Sequence, residues 1–181
     1  MRIVGGKYKG RHFTPGKKFK ARPTTDMAKE SLFNILQNTL DFEELKVLDL
    51  FAGTGSISFE FASRGCTDIT TVEVHSDHAA FIREIIEKLN EKSIKLVKTN
   101  AFVFAKRMDE QYDLIFADPP YDHPKLREVP DMVLMNNLLK PDGLFILEHS
   151  GDFNFSKLPQ FRELRKYGSV HFSFFQNLKG E

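Results

Sequence analysis

The chain is nearly without cysteine. Cys66 is the single one among 181 residues, so no internal disulfide can form and a disulfide-stapled secreted scaffold is excluded. No apolar run approaches the roughly 20 residues that a membrane-spanning helix needs, and Phe172 to Phe175 is far too short. An apolar signal region is missing as well, because Arg2, Lys7 and Lys9 follow the first methionine directly. A cytoplasmic protein without a membrane partner is therefore expected. No internal repeat, low-complexity tract or linker divides the chain, and a length of 181 residues with 41% hydrophobic and 28% charged side chains fits one unit able to bury a core.

Acid is absent from residues 1–25, which carry eight bases: Arg2, Lys7, Lys9, Arg11, Lys17, Lys18, Lys20 and Arg22. The remaining 18 bases face all 25 acids, so the net charge of +1 divides into +8 for this segment and −7 for the rest. A concentrated positive field attracts phosphate backbones and gives affinity without sequence readout. An ordinary solvated lysine-rich terminus would show the same charge. Here Gly5, Gly6, Gly10, Pro15 and Gly16 punctuate the segment as turns, with Ile3, Val4, Tyr8 and Phe13 between them, which predicts a small folded β extension over 1–23 ahead of a main domain over 24–181.

From residue 24 the periodicity becomes helical. Ala28, Leu32, Ile35, Leu36 and Leu40 form one apolar face, and Thr24, Thr25 or Asp26 can cap the helix. Apolar runs follow at 47–51, 69–74, 94–97, 114–117 and 144–147, separated by helix-length segments. Runs that do not alternate mark strands covered on both faces, so a doubly wound, mostly parallel α/β sheet is predicted. The runs 161–165 and 169–176 meet across Tyr167 and Gly168 and read as an antiparallel pair.

Chemistry is concentrated at two strand ends. The first is Asp49-Leu50-Phe51-Ala52-Gly53-Thr54-Gly55, where glycines let a ligand approach the backbone and Asp49 can order the loop and a bound amine. Glu73 ends the next strand, where an acid can accept from both hydroxyls of an adenosine ribose. A dinucleotide-binding loop would have glycine or alanine at the third position, where Ser58 stands. A tight turn with a solvated Glu73 would explain the same residues without a ligand.

The second is Asp118-Pro119-Pro120-Tyr121, directly after an apolar strand. Consecutive prolines fix φ and cannot donate, so they hold a carboxylate, a carbonyl and an aromatic ring in one rigid geometry. An exocyclic base amine is a poor nucleophile because its lone pair is delocalised. Acceptors on its N–H groups, here Asp118 and the Pro119 carbonyl, help to localise it, while Tyr121 offers a face for an unstacked base. A proline-stiffened loop with Tyr121 as surface packing is the plainer alternative.

Together, Asp49 to Gly55, Glu73 and Asp118 to Tyr121 resemble the S-adenosylmethionine-dependent methyltransferases that act on exocyclic amines. The N-terminal Met1-Arg2-Ile3-Val4-Gly5-Gly6-Lys7-Tyr8-Lys9-Gly10-Arg11 narrows the match, as do Arg22-Pro23-Thr24-Thr25-Asp26, Lys29-Glu30 and Leu32-Phe33-Asn34-Ile35-Leu36. With Ser63-Arg64-Gly65, Glu148-His149-Ser150 and Arg165-Lys166-Tyr167-Gly168, the whole chain resembles the bacterial 16S ribosomal RNA guanine-N2 methyltransferases that modify guanine-966. The resemblance implies a class I, Rossmann-like, seven-stranded sheet with the last strand antiparallel. It also implies S-adenosylmethionine as cofactor and S-adenosylhomocysteine as product. Gly53 and Gly55 would pass the methionine part, Glu73 would hold the ribose, and Asn100 with Ala101 would flank the adenine. Asp118, Pro119 and Tyr121 would hold the guanine. Arg2, Lys7, Lys9, Arg11 and Arg22 would grip 16S rRNA, within a small-subunit assembly intermediate, and the protein would act as a monomer.

Two departures stand out. Asn100 replaces the family's usual aspartate, and Met27 stands where the family usually has arginine or another polar residue. Phe59 and Phe61 read as core. His75 and His78 lack the cysteine or carboxylate partners of a zinc set, so no metal is expected. No Gly-x-Ser-x-Gly elbow supports a hydrolase. His149 suits either a place near the base or a structural hydrogen bond. An adenine-N6 enzyme acting on DNA would share the Asp118 tetrapeptide but needs a target-recognition domain, and a non-catalytic assembly factor would not need an intact tetrapeptide.

Overall fold

Residues 1–16 and 25–177 are described in the computed structural model. Among them, β1 (Lys46–Leu50), β2 (Asp68–Glu73), β3 (Ile94–Lys98), β4 (Tyr112–Ala117), β5 (Leu139–His149), β6 (Phe161–Tyr167) and β7 (Val170–Gln176) form one sheet. The strand order is β3-β2-β1-β4-β5-β7-β6, with β7 antiparallel to β5 and β6 and every other pairing parallel. The order reverses between β1 and β4, and in such sheets the crevice beyond the carboxyl ends of those two strands is the ligand position.

The absence of alternation in the strands has its cause in two covered faces. Val47, Leu114, Phe116 and Ile146 pack into one core, while Leu48, Leu50, Ile115, Ala117 and Leu147 pack into the other. Neighbouring residues of one strand thus enter opposite layers, and both must be apolar. The first layer holds α1 (Asp26–Gln37), α2 (Ser56–Ser63) and α3 (Ser76–Leu89); the second holds α4 (Ala101–Arg107) and α5 (Val129–Met135). Phe33, Phe42 and Phe61 meet edge to face in the first layer, with centroids 4.8 to 6.1 Å apart. Phe59 and Phe61 are fully buried, as expected of core residues. Thr25 caps α1, its hydroxyl accepting from Ala28 N at 3.2 Å. The predicted apolar face of α1 is joined by Lys29 and Phe33, both buried.

The expected N-terminal β extension is a short folded loop. One antiparallel bridge joins Arg2 and His12, Gly10 N donates to Ile3 O at 2.9 Å, Phe13 N donates to Met1 O at 2.9 Å, and a 3-10 turn at Gly6–Tyr8 forms its tip. The loop lies along α2, which explains why all eight residues of that helix are buried, including Ser56, Ser58, Glu60 and Ser63. Ile3 is buried in the same core. Val4 N donates to Glu60 Oε1 at 2.7 Å, Tyr8 N donates to Ser63 Oγ at 2.9 Å, and Ser63 Oγ donates to Gly5 O at 2.6 Å. The loop thus partners Glu60 and Ser63, two buried polar groups of α2 that would otherwise cost about 1–3 kcal/mol each.

Contact is so close at Gly6 that a β-carbon there would lie 1.9 Å from the Ser63 carbonyl oxygen, and its φ is +71°. Gly6→Ala is expected to separate the loop from α2 and to cost about 2 kcal/mol or more. Thermal unfolding should show a midpoint lowered by several degrees, with faster amide exchange at Ile3 and Val4. An unchanged midpoint would mean that the loop contributes nothing to stability.

At the loop's tip, Tyr8 Oη donates to Glu91 Oε2 at 2.7 Å and Lys7 Nζ lies 3.1 Å from the same oxygen. Burial pushes the Glu91 carboxyl up, but hydrogen bonds from Ser93, Tyr8 and Lys7 outweigh it and hold its pKa at about 2. A depressed carboxyl contributes stability that is present above the unfolded value, near 4.5, and is lost as pH falls through about 2. The difference is about 3 kcal/mol. Glu91→Gln should flatten the stability-versus-pH curve between pH 4.5 and 2, which acid titration of the unfolding midpoint measures.

Candidate active site

The crevice at the β1/β4 reversal holds a cavity of about 800 Å³, within the range of small-molecule sites. Twelve of the thirteen cofactor and catalytic candidates line it: Asp49, Phe51, Ala52, Gly53, Thr54, Glu73, Asn100, Ala101, Asp118, Pro119, Pro120 and Tyr121. Gly55 is not among the lining residues. It starts α2 at φ +73°, and a β-carbon on it would meet Ile82 and Phe59 at 3.1 Å, so its glycine serves helix packing.

Asp49 is buried one residue before the end of β1, with Oδ2 accepting from Ser58 N at 3.1 Å and Ser58 Oγ at 2.6 Å. Ser58 Oγ is also 2.7 Å from Thr71 Oγ1. The residue that breaks the dinucleotide pattern thus anchors the acid at the amino end of α2, where backbone N–H groups favour negative charge. Burial nevertheless raises the Asp49 carboxyl to about 7, against the opposing Ser58 bonds.

Glu73 braces the loop from the next strand. Its Oε2 accepts from Gly53 N at 2.7 Å and its Oε1 from His75 N at 2.7 Å, while His78 Nδ1 lies 3.5 Å from Oε1. A carboxylate has about four acceptor positions, so these two backbone bonds leave capacity for hydroxyl donors. Gly53 has φ +55° and Phe51, a non-glycine, has φ +59°. The strain at Phe51 is on the order of 1–3 kcal/mol, and its ring is held against Phe102 and His123 at 6.2 and 5.7 Å.

Asn100 caps α4. Its Oδ1 accepts from Phe102 N at 2.9 Å and Val103 N at 3.3 Å. The amide oxygen of this residue, expected to flank the adenine, is thus engaged by the helix, and an asparagine ahead of a helix is itself the signal for that role.

Asp118 N donates to Leu50 O at 3.3 Å, which ties the tetrapeptide to β1. Burial first, then the charges of Glu148 and Asp49, hold the Asp118 carboxyl well above the usual range. Tyr121 Oη donates to Glu148 Oε1 at 3.3 Å. Glu148 lines the cavity and was given no role by sequence reasoning, although its signal was available: it directly follows an apolar strand run, as Asp118 does. His123, whose ring stacks on Phe102 at 5.8 Å, is a second cavity residue that the sequence did not mark.

His149 does not line the cavity. Its Nδ1 is 2.7 Å from Ser150 O, and an acceptor there requires the proton on Nδ1, so Nε2 accepts from Ser173 Oγ at 2.7 Å. The ring is fully buried against Phe153, Phe155 and His171, which gives it the structural role.

Among the described RNA-binding candidates, Arg2 lines a cavity next to the site. This smaller cavity of about 330 Å³ is also bordered by Asp26, Lys29 and Ser56, and Ser56 lines the main one as well. Arg2 Nη1 is 3.8 Å from Asp26 Oδ2. Lys7 is committed to Glu91, and Lys9 and Arg11 are exposed. Arg22 lies outside the described residues, as do Lys17, Lys18, Lys20 and Thr24. Met27 is 63% exposed on α1.

A sheet of this order with its glycine loop and acidic strand ends is the class I methyltransferase fold. The precorrin-6y C5,15-methyltransferase of Geobacter metallireducens shares it, with a TM-score of 0.67 at 18% identity over 92% of this chain and 94% of that one. The chain belongs to the family described as Conserved hypothetical protein 95, whose model matches residues 1–176. It is 28% identical to ribosomal RNA small subunit methyltransferase D of Buchnera aphidicola over 98% of this chain and 92% of that protein. The protein of the same name in Escherichia coli K12 is 28% identical over 82% and 74%. The solved yhhF structure from Escherichia coli superposes with a TM-score of 0.85, 26% identity and 99% coverage of both chains.

The Asp49 geometry gives a test in the ligand-free protein. A folded pKa near 7 above an unfolded value of 3.8 means that stability is fully present below pH 3.8 and declines as pH rises through 7, by up to about 4 kcal/mol. Asp49→Asn should remove that decline, so its unfolding midpoint should exceed the parent's at pH 8 and match it more closely at pH 5. Parallel pH curves would place the decline elsewhere.

Proposed function

We propose that this protein methylates the exocyclic N2 of a guanine, expected at position 966, in 16S ribosomal RNA, with S-adenosylmethionine as donor. The observation that carries the reading is the convergence of Asp118-Pro119-Pro120-Tyr121, the Gly53 loop and Glu73 on one cavity. The names of the small-subunit relatives support the RNA class.

The residues present fit the cofactor. Asp49, Asp118 and Glu148 share the cavity, and the Asp118 carboxyl is raised first by burial and then by the charges of the other two acids. A cationic ligand relieves such mutual repulsion, and S-adenosylmethionine carries a sulfonium and an ammonium. Asp49 would face the cationic methionine end, the Gly53 loop its backbone, Glu73 the ribose, and Asn100 and Ala101 the adenine.

When bound, the cofactor supplies a methyl group already activated for transfer, so the protein's task is alignment and proton removal. Asp118 and the Pro119 carbonyl would accept from the two N2 protons and aim the lone pair, while the Tyr121 ring would support the unstacked base. The proton released as N2 gains its methyl would pass to Asp118 or water. Arg2, Lys9 and Arg11 would hold the RNA backbone, with Lys7 acting mainly through Glu91. A monomer working on an assembly intermediate in the cytoplasm completes the reading.

Tritium transfer from S-adenosylmethionine to small-subunit RNA tests it, with the modified nucleotide mapped by mass spectrometry. Asp118→Ala should abolish transfer and retain cofactor binding; an undiminished rate would remove the mechanism. Lys9→Gln with Arg11→Gln should weaken RNA binding and reduce its logarithmic salt slope by about 1 to 2. An unchanged slope would take the N-terminal loop out of the interface.

A further inference from the structure

We propose that Glu148 selects the target base by accepting the ring N–H beside its amine, so that guanine is taken and bases with a ring acceptor in that place are refused. The inference rests on the methyl-transfer reading above and gives a base contact to a residue that the reading uses only as one of the acids facing the cofactor's charge.

The placement follows from strand register. In the β4/β5 pair, Ala117 is opposite Leu147, so Asp118 and Glu148 are the next residues along two parallel neighbours. Adjacent strands lie about 4.8 Å apart, and both side chains line the same cavity. Tyr121 Oη donates to Glu148 Oε1 at 3.3 Å, which fixes the carboxylate beside the tetrapeptide. A carboxylate accepts at about four positions, so this bond does not exhaust it.

Two neighbouring acceptors match one base edge. Guanine presents N1–H directly beside its N2 amine, an uninterrupted row of donors. The adenine N6 amine stands beside the N1 lone pair, and the cytosine N4 amine beside the N3 lone pair. With Asp118 on the amine, Glu148 would meet N1–H in guanine and a lone pair in the other two. Opposed acceptors in a desolvated site lose a hydrogen bond and add repulsion, the kind of mismatch by which buried polar groups discriminate strongly. Reading a flipped base on its Watson–Crick edge is the common means of selection in enzymes of this kind.

Glu148→Gln tests the inference, because an amide can present either an acceptor to N1–H or a donor to a ring lone pair. The substrates are small-subunit RNA fragments with guanine or 2-aminopurine at the target; 2-aminopurine keeps the N2 amine and has a lone pair at N1. The parent should favour guanine by about tenfold or more, both in transfer and in affinity, the latter measured with S-adenosylhomocysteine present by displacing the fluorescent 2-aminopurine RNA with the guanine RNA. Glu148→Gln should bring both ratios to within about threefold, with the two RNAs compared at saturating cofactor so that any change in cofactor affinity cancels in the ratio. Tyr121→Phe, which removes the hydroxyl oriented on Glu148, should shift the ratios in the same direction by a smaller factor. Equal losses on both RNAs with the ratios intact would overturn the inference and leave the reaction standing. Absence of transfer from the parent to the guanine RNA would instead overturn the reaction, and the inference with it.

Discussion

Glu60 is fully buried in the middle of α2, and almost everything near the site depends on how its charge is met. Lys29 Nζ from α1 lies 3.1 Å from Oε1, Arg64 pairs with Oε2, and Val4 N donates to Oε1 from the N-terminal loop. An isolated buried carboxylate would be untenable, and removing one partner of such a group costs about 3–5 kcal/mol. The same Lys29 ammonium donates to Arg2 O and, at 2.9 Å, to Ser56 Oγ. One charged cluster therefore fixes the loop, α1 and the first residue of α2 relative to one another.

That first residue follows the glycine loop directly, so the cluster also sets where the ligand-facing backbone begins. Asp49 reaches the third residue of α2, Ser58, and Glu73 accepts from Gly53 N in the same loop. A chain of short polar contacts runs from the Arg2 carbonyl through Lys29 and Ser56 to the floor of the cavity. RNA gripped by the N-terminal loop would thus act on a segment already continuous with the glycine loop that lines the cavity. The tip of the loop lies seven residues further along α2, about 10 Å away, a distance that a few nucleotides of backbone can span.

Sheet, layers and cavity were legible because each rests on a strong local signal: two-sided apolar strands, glycines at a strand end, consecutive prolines after another. Boundaries of β5 were not, since Lys140, Pro141, Asp142 and Gly143 interrupt the apolar run, while pairing of Tyr112 with Leu139 extends the strand to eleven residues. Lys29 was illegible for a different reason. A lysine at an apolar helical position reads as solvated until the distant Glu60 and Arg2 carbonyl are known to surround it. Ser58 likewise counted only as a failed glycine, and its bond to Asp49 spans a loop whose geometry no spacing rule supplies. Glu148 was within reach of the strand-end rule that found Asp118, but its neighbour His149 drew the attention as the more reactive type.

Charge division along the chain also changes meaning once partners are known. Lys7, from the basic N-terminal segment, is used on Glu91, while Lys29 and Arg64 from the acidic remainder are used on Glu60, so bases of both parts neutralise acids that folding has desolvated. Lys9 and Arg11 remain exposed, with Arg11 also 5.6 Å over the Tyr8 ring. In the cavity the imbalance has the opposite sign: Asp49 and Asp118 are both raised by burial, and the repulsion between carboxyls adds to it. A site that keeps its acids poorly solvated pays in stability and gains affinity for cations and N–H donors, because each such partner removes a penalty that already exists. The ligands that relieve it most combine a positive centre with a row of donors, and a sulfonium cofactor beside a guanine edge is such a combination.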